Sequence, residues 1–173
     1  MGADAIPCAI RIIAIEKPRG TGEWHLKMTP VCAEVLPDTE MTLQRTIRCV
    51  LRALAAFHNH GFVHRDVRWP NVLRDPRDGG SLLIDFELAD RIGKPLPAAY
   101  HGSGTMPPEA RHGGPYGTAG DMWQVGLLVR TWAVPAHVLS PPAAAFVQRL
   151  AANDPARRLT AVTALQDAWL LLH

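Results

Sequence analysis

Two aspartates nineteen positions apart, Asp66 and Asp85, constrain this chain more than any other feature. Asp66 lies in Val63-His64-Arg65-Asp66-Val67-Arg68-Trp69-Pro70-Asn71-Val72-Leu73, and Asp85 in Leu83-Ile84-Asp85-Phe86-Glu87. Between them the apolar runs Val72-Leu73 and Leu82-Leu83-Ile84 flank Arg-Asp-Pro-Arg-Asp-Gly-Gly, the pattern of a small hairpin. An aspartate able to take a hydroxyl proton, an asparagine five residues on, and a second aspartate after a hairpin suit phosphoryl transfer. Asn71 and Asp85 are hard oxygen donors of the kind Mg²⁺ takes, and the ion bridges and neutralises phosphate charge.

Around this constellation the periodicity changes several times. Residues 8–17, rich in Ile, read as a strand, Pro18 to Glu23 as a turn, and Trp24 to about Thr29 as the returning strand, which Pro30 ends. From about Thr42 to His60 the spacing is helical. Leu43, Ile47, Val50, Leu51, Leu54 and Phe57 fall on one face and Gln44, Arg45, Arg48 and Arg52 on the other. Gly61 stands where a helix C-terminal glycine belongs. Residues 91–118, rich in Gly and Pro, read as a long ordered loop, usually functional in a compact domain. Ala119 to Val134 reads as an apolar helix burying Met122, Val125, Leu128, Val129 and Trp132, with Pro135 ending it. Two further helices are expected at about 142–152 and 160–172.

Composition narrows the class. A chain of 173 residues, 47% hydrophobic and 20% charged, is one domain with a real core. A net charge of +2 with no dense basic block implies neither nucleic acid nor anionic membrane as partner. Cys8, Cys32 and Cys49 show no close pair and no metal-ligand spacing, and read as reduced core thiols. Met1 to Ile6 resembles neither a secretory signal nor a myristoylation site, and no apolar stretch approaches membrane-spanning length. A soluble, cytoplasmic protein is expected.

The two aspartate segments resemble the H-R-D-x-x-x-x-N catalytic loop and D-F-G metal motif of eukaryotic-type protein kinases of the Ser/Thr kind. Other parts agree in order. Gly104-Thr105-Met106-Pro107-Pro108-Glu109 resembles the A-P-E end of an activation segment, and Asp121-Met122-Trp123-Gln124-Val125-Gly126 the buried D-x-W-x-x-G helix. Asp154-Pro155-Ala156-Arg157-Arg158 resembles the late D-P-x-x-R segment, and Ala164 to Leu170 the closing A-L-x-H-P-W-L helix. The resemblance implies an α+β, protein-kinase-like fold in a single domain, residues 1–173. Within it, residues 1–36 would form a two-stranded N-lobe remnant and hinge, and 37–173 a mainly helical C-lobe. It further implies transfer of the ATP γ-phosphate, with Mg²⁺ and ATP as cofactors, to a Ser/Thr hydroxyl of a protein substrate. Asp66 would be the catalytic base. Arg68 takes the place of the usual lysine beside it, keeping the charge with different geometry. Asn71 and Asp85 would hold metal. Arg65 would bind a phosphate on the activation segment, where Tyr100, Ser103 and Thr105 are the candidate acceptors, and Glu109 would close that segment by pairing with Arg158. His64 and Phe86 would pack, and Asp121 would support the catalytic-loop backbone.

The sequence also departs from the pattern. Glu87 replaces the glycine of the metal motif, removing backbone freedom and adding negative charge near the metal site. A kinase's glycine-rich loop, strand lysine and helix glutamate all belong N-terminal to the hairpin placed at 8–31. Of the three lysines, Lys17 and Lys27 are the ones upstream of the catalytic loop; neither sits in a V-A-I-K-like setting, and both are expected on a solvent face or edge. The stretch from Asp121 to Arg158 is short, so one helix of the substrate-docking face is expected to be lost. A sheet edge and apolar face on the N-lobe side would then suit a protein partner or a dimer mate. Three readings stay open: an active kinase, a pseudokinase scaffold, and a truncated kinase gene product. Small-molecule kinases of the aminoglycoside type fit less well, since those carry H-G-D at the catalytic loop.

Overall fold

The computed structural model describes residues 7–16, 25–34, 36–102, 104–132 and 138–171. The Ile-rich segment forms β1 (Arg11–Glu16), paired antiparallel with β2 (His25–Thr29). The turn expected over 18–23 and Trp24 lie outside the described residues. Ile13, Ile15 and Met28 are at least half exposed on this two-stranded sheet. The strand is tied to the rest of the protein just before it begins. Leu83 N–H donates to the Cys8 carbonyl (2.8 Å), and Ile10 N–H donates to the Leu83 carbonyl (3.2 Å).

α1 (Glu40–Asn59) begins two residues earlier than the apolar pattern suggests because Thr39 caps it. The Thr39 hydroxyl accepts from Thr42 N–H while Thr42 Oγ1 accepts from Thr39 N–H, satisfying two amide donors that the helix leaves open. At the other end Gly61 takes φ +80°, the left-handed backbone that glycine adopts without a Cβ penalty. The apolar face is buried as expected, with Phe57 partly so. On the opposite face Arg45 and Arg52 are exposed as expected, but Gln44 is buried, donating to the Trp169 carbonyl at 2.7 Å, and Arg48 donates to the Leu170 carbonyl. The chain's C-terminal helices cover that face, and a strictly helical polar stripe cannot announce them.

β3 (Ala33–Glu34), β5 (Val72–Arg74) and β6 (Ser81–Leu83) form one sheet in the order β3-β5-β6, with the expected hairpin joining the last two. β4 (Phe62–Val63) pairs with β7 (Asp90–Arg91). Residues 91–118 are a long loop carrying two 3₁₀ turns, anchored by a small core of Val63, Leu96, Met106, Ala110 and Tyr116. α2 (Thr118–Trp132) and α3 (Pro141–Leu150) pack with α1 around the main core, and all five α2 residues expected inside are buried. The single helix expected over 160–172 is instead two short ones, α4 (Ala161–Ala164) and α5 (Ala168–Leu171). Asp167 separates them. Its carboxylate accepts Trp169 N–H (2.9 Å) and faces the Arg149 guanidinium (2.5 Å), a capping geometry that restarts the helix. No helix among the described residues is long and apolar enough to cross a membrane.

Candidate active site

The β5–β6 hairpin assembles the site. Val72 pairs with Leu83, and Ile84 N–H donates to the Asn71 carbonyl (2.9 Å), so Asn71 and Asp85 flank the same end of the hairpin. Asn71 is buried and spends its Nδ2 hydrogens on the Asp66 carbonyl (2.8 Å) and on Asp66 Oδ2 (2.7 Å). Its amide oxygen is then the atom left for a cation. Arg68 Nε donates to the same Asp66 Oδ2 at 2.9 Å. Asp85 is exposed, adopts φ +64°, and accepts Glu87 N–H at 3.3 Å. Arg65, at φ +73°, is a second non-glycine residue in left-handed backbone. Such conformations cost about 1–3 kcal/mol each and persist only where surroundings fix them.

Asp121, fully buried at the start of α2, fixes that of Arg65. Its Oδ2 accepts His64 N–H and its Oδ1 accepts Arg65 N–H, both at 2.8 Å. His58 Nε2 (2.8 Å) and the Tyr116 hydroxyl (3.2 Å) complete its shell. Burial pushes the Asp121 carboxyl up, but the His58 hydrogen bond and charge and the two loop amides outweigh it, leaving the group below the ordinary carboxylate value. Burial likewise drives the Tyr116 hydroxyl well up, helped by the charge of Asp121, so Tyr116 stays a neutral donor.

His64 is wholly buried, its ring 4.9 Å from that of Phe86, which in turn lies 5.3 Å from Phe57. His64 Nε2 bonds the Ile84 carbonyl (3.0 Å) and so carries the proton; Nδ1 accepts Asp66 N–H (3.2 Å). Desolvation lowers its pKa, against the pull of Asp121 and the Ile84 carbonyl, in keeping with a neutral ring. A depressed histidine contributes stability that is present above its ordinary value of 6.5 and lost as pH falls through and below that value. The unfolding temperature is therefore expected to decline on acidification from about pH 7 to pH 5, and His64→Gln to flatten that slope whatever its effect at neutral pH. An unchanged slope in the variant assigns the acid sensitivity elsewhere.

The remaining expected residues lie apart from this cluster. Arg65 turns its guanidinium toward the long loop, donating to Asp90 Oδ2 (3.3 Å) and the Lys94 carbonyl (2.7 Å). Glu109 and Arg158 form a bidentate pair at 2.6 and 2.9 Å beyond that loop. Sequence reasoning missed Gln124. Its Oε1 accepts Val67 N–H (3.0 Å), and its Nε2 donates to the Arg65 carbonyl (2.9 Å) and the Thr105 carbonyl (3.3 Å), joining catalytic loop to activation loop. The signal was its position three residues after Asp121, on the same helical face. Missed too were His58 and Tyr116, which reach Asp121 from α1 and the loop.

The sequence matches the protein kinase domain family over residues 27–138, well over half of the chain. The chain belongs to that family. It is 32% identical to Crinkler effector protein 8 of Phytophthora infestans over 95% of its own length, and 31% identical to CDPK-related kinase 7 of Arabidopsis thaliana over 77%. It spans only 27% and 28% of those curated relatives. The structure of the Cydia pomonella granulovirus kinase PK-1 superposes with a TM-score of 0.72 at 22% identity, covering 95% of this chain and 75% of that one. That likeness shows the fold, which is α+β and mainly helical. Protein kinases in general act on proteins and use ATP with Mg²⁺.

Proposed function

We propose that this kinase-like site transfers a phosphoryl group from Mg-ATP to a Ser or Thr hydroxyl of a protein. The observation that carries the reading is the Asp66–Asn71 contact beside Asp85. Oδ2 of Asp66 takes both the Asn71 and the Arg68 hydrogen bonds, leaving Oδ1 to orient a substrate hydroxyl and accept its proton. The donor set fits magnesium. Asn71 and Asp85 supply hard oxygens, and among the described residues no cluster of three His, Cys, Asp or Glu offers a cage, as suits an ion completed by phosphate and water. When bound, the ion and nucleotide supply the phosphoryl group and neutralise its charge. Arg68 keeps a positive charge beside Asp66, and the Asp121 and Gln124 bonds hold the loop so that no reorganisation is needed at the moment of transfer. Arg65, paired with Asp90, holds the start of the activation loop without phosphate; a phosphate on Tyr100, Ser103 or Thr105 would compete with Asp90 for it. We read residues 1–36 and 37–173 as parts of one domain, supported by the bonds of Cys8 and Ile10 to Leu83.

A pseudokinase scaffold is the second reading. Lys27 favours it: its ammonium is spent on Glu16 (2.9 Å) across the exposed hairpin. On that reading the exposed Ile13, Ile15 and Met28 would meet a protein partner or a second copy of the chain.

Thermal unfolding with Mg²⁺ and ATP separates the two. If the site holds nucleotide, saturation to about a hundred times Kd raises the unfolding temperature by about 5–10 °C. Asp85→Asn is expected to abolish the shift, and Asp66→Asn to keep it while cutting phosphotransfer at least about 100-fold. No shift at millimolar ATP leaves the scaffold.

A further inference from the structure

Away from the site, two thiols that the sequence sets forty-one residues apart come together. Cys8, just ahead of β1, adopts φ +55°, left-handed backbone that a residue with a Cβ seldom takes. The paired bonds of Cys8 and Ile10 to Leu83 hold it there. Cys49 lies on α1. Both thiols are partly buried and free, they lie close enough to perturb each other's ionisation, and both line a surface cavity of about 240 Å³ shared with Arg11, Asp75, Arg77 and Asp78. The thiols expected to be reduced are free, each partly buried, and spacing along the chain carries no sign that Cys8 and Cys49 share a cavity. The two members differ in character. The hydrogen bond from Cys8, assisted by Ser81 N–H and the Arg52 guanidinium, pulls the Cys49 thiol down to about 6 against the effect of burial. The same contact, with burial, pushes Cys8 far up. The opposite directions single out Cys49 as the thiol that ionises more readily. Cys32 provides an internal comparison, because burial raises its pKa and its Sγ donates to the Pro30 carbonyl at 3.5 Å.

We propose that Cys8 and Cys49 form a peroxide-responsive dithiol site whose oxidised state is an intrachain disulfide between the segment leading into β1 and α1. The Cys49 thiolate attacks one oxygen of hydrogen peroxide, breaking the O–O bond; the departing hydroxide takes a proton and leaves as water, and Cys49 becomes a sulfenic acid. The Cys8 sulfur then attacks the Cys49 sulfur, forming S–S and expelling hydroxide, which takes the Cys8 proton to give a second water. Two thiols lose two electrons and one peroxide gains them. The product fastens to α1 the segment leading into β1, which is itself bonded to Leu83, two residues from Asp85. This step does not depend on the phosphotransfer reading.

The test treats the full chain with hydrogen peroxide, alkylates the remaining thiols after denaturation and maps the peptides by mass. Expected is a Cys8–Cys49 linked pair lighter by about 2 Da, restored by dithiothreitol, with Cys32 alkylated throughout. The oxidised protein is expected to unfold about 5–10 °C higher. Cys8→Ser, a small change that should leave the fold intact, is expected to stop at a Cys49 sulfenic acid that dimedone traps, and Cys49→Ser to leave Cys8 unoxidised at the same dose. Sulfenic acid without linkage in the unmodified chain, linkage between chains, or Cys32 oxidised as fast as Cys49 overturns the proposal.

Discussion

Asp121→Ala is expected to unfold about 10 °C or more below the parent chain, with the catalytic loop the first region to lose protection from hydrogen exchange. The carboxylate accepts from two buried amides, His64 and Arg65, and from His58 and Tyr116, none of which gains water when it is removed. Each orphaned buried donor costs roughly 1–3 kcal/mol, and loss of a buried charged acceptor from such a network about 3–5 kcal/mol altogether. For a domain of this size each kcal/mol moves the midpoint by about 2–4 °C. Arg65 also loses the bond that holds its left-handed backbone. Asp121→Asn keeps one acceptor oxygen and should fall between. The pH dependence has a definite sign. A carboxyl held below its ordinary 3.8 contributes stability that is whole above that value and lost as pH falls through the folded one. The parent chain should therefore lose more stability than Asp121→Ala between about pH 4 and pH 2. A midpoint for the alanine variant within about 2 °C of the parent at neutral pH would reduce Asp121 to one packing residue among many.

Local pattern exposed the helices α1, α2 and α3, the β5–β6 hairpin and the grouping of Asp66, Asn71 and Asp85 at its end, since each rests on nearest neighbours or short fixed spacings. Gly61 and Thr39 mark the difference between kinds of signal. The glycine was readable as a helix end because only backbone freedom was at stake. The start at Glu40 depended on a threonine pair whose reciprocal bonds compete with other turn geometries. What stayed illegible was long-range. Gln44 looked solvent-facing until α5 covered it, the break at Asp167 depends on Arg149 of another helix, and Cys8 meets Cys49 through a strand bridge to Leu83. In the site, Asp66, Asn71 and Asp85 were placed by motif, whereas the partners of Asp121 come from α1 and the loop, dozens of residues away or through a tyrosine with no spacing signature.

Arg158→Ala is the second large effect, with about 3–5 kcal/mol of destabilisation expected. Its guanidinium, with no exposed side-chain surface, binds both Glu109 oxygens, the Ala119 carbonyl (2.9 Å) and the Ala152 carbonyl (2.8 Å). It thus ties the end of the activation loop to the start of α2 and to the turn after α3. Removing it leaves a partly buried carboxylate and two carbonyls short of donors. Glu109→Ala alone should be as damaging, because the buried cation is then unpaired. Replacing both with Ala, by contrast, removes charge and countercharge together and should cost less than the two single changes summed, a coupling of about 1–3 kcal/mol in a double-mutant cycle of unfolding midpoints. Additive losses would mean that Arg158 acts through the carbonyls and not through Glu109. The location of the damage separates a local anchor from a global one: limited proteolysis of Arg158→Ala should open first across residues 104–112, where the pair fastens the loop, before α1 or α2 yields.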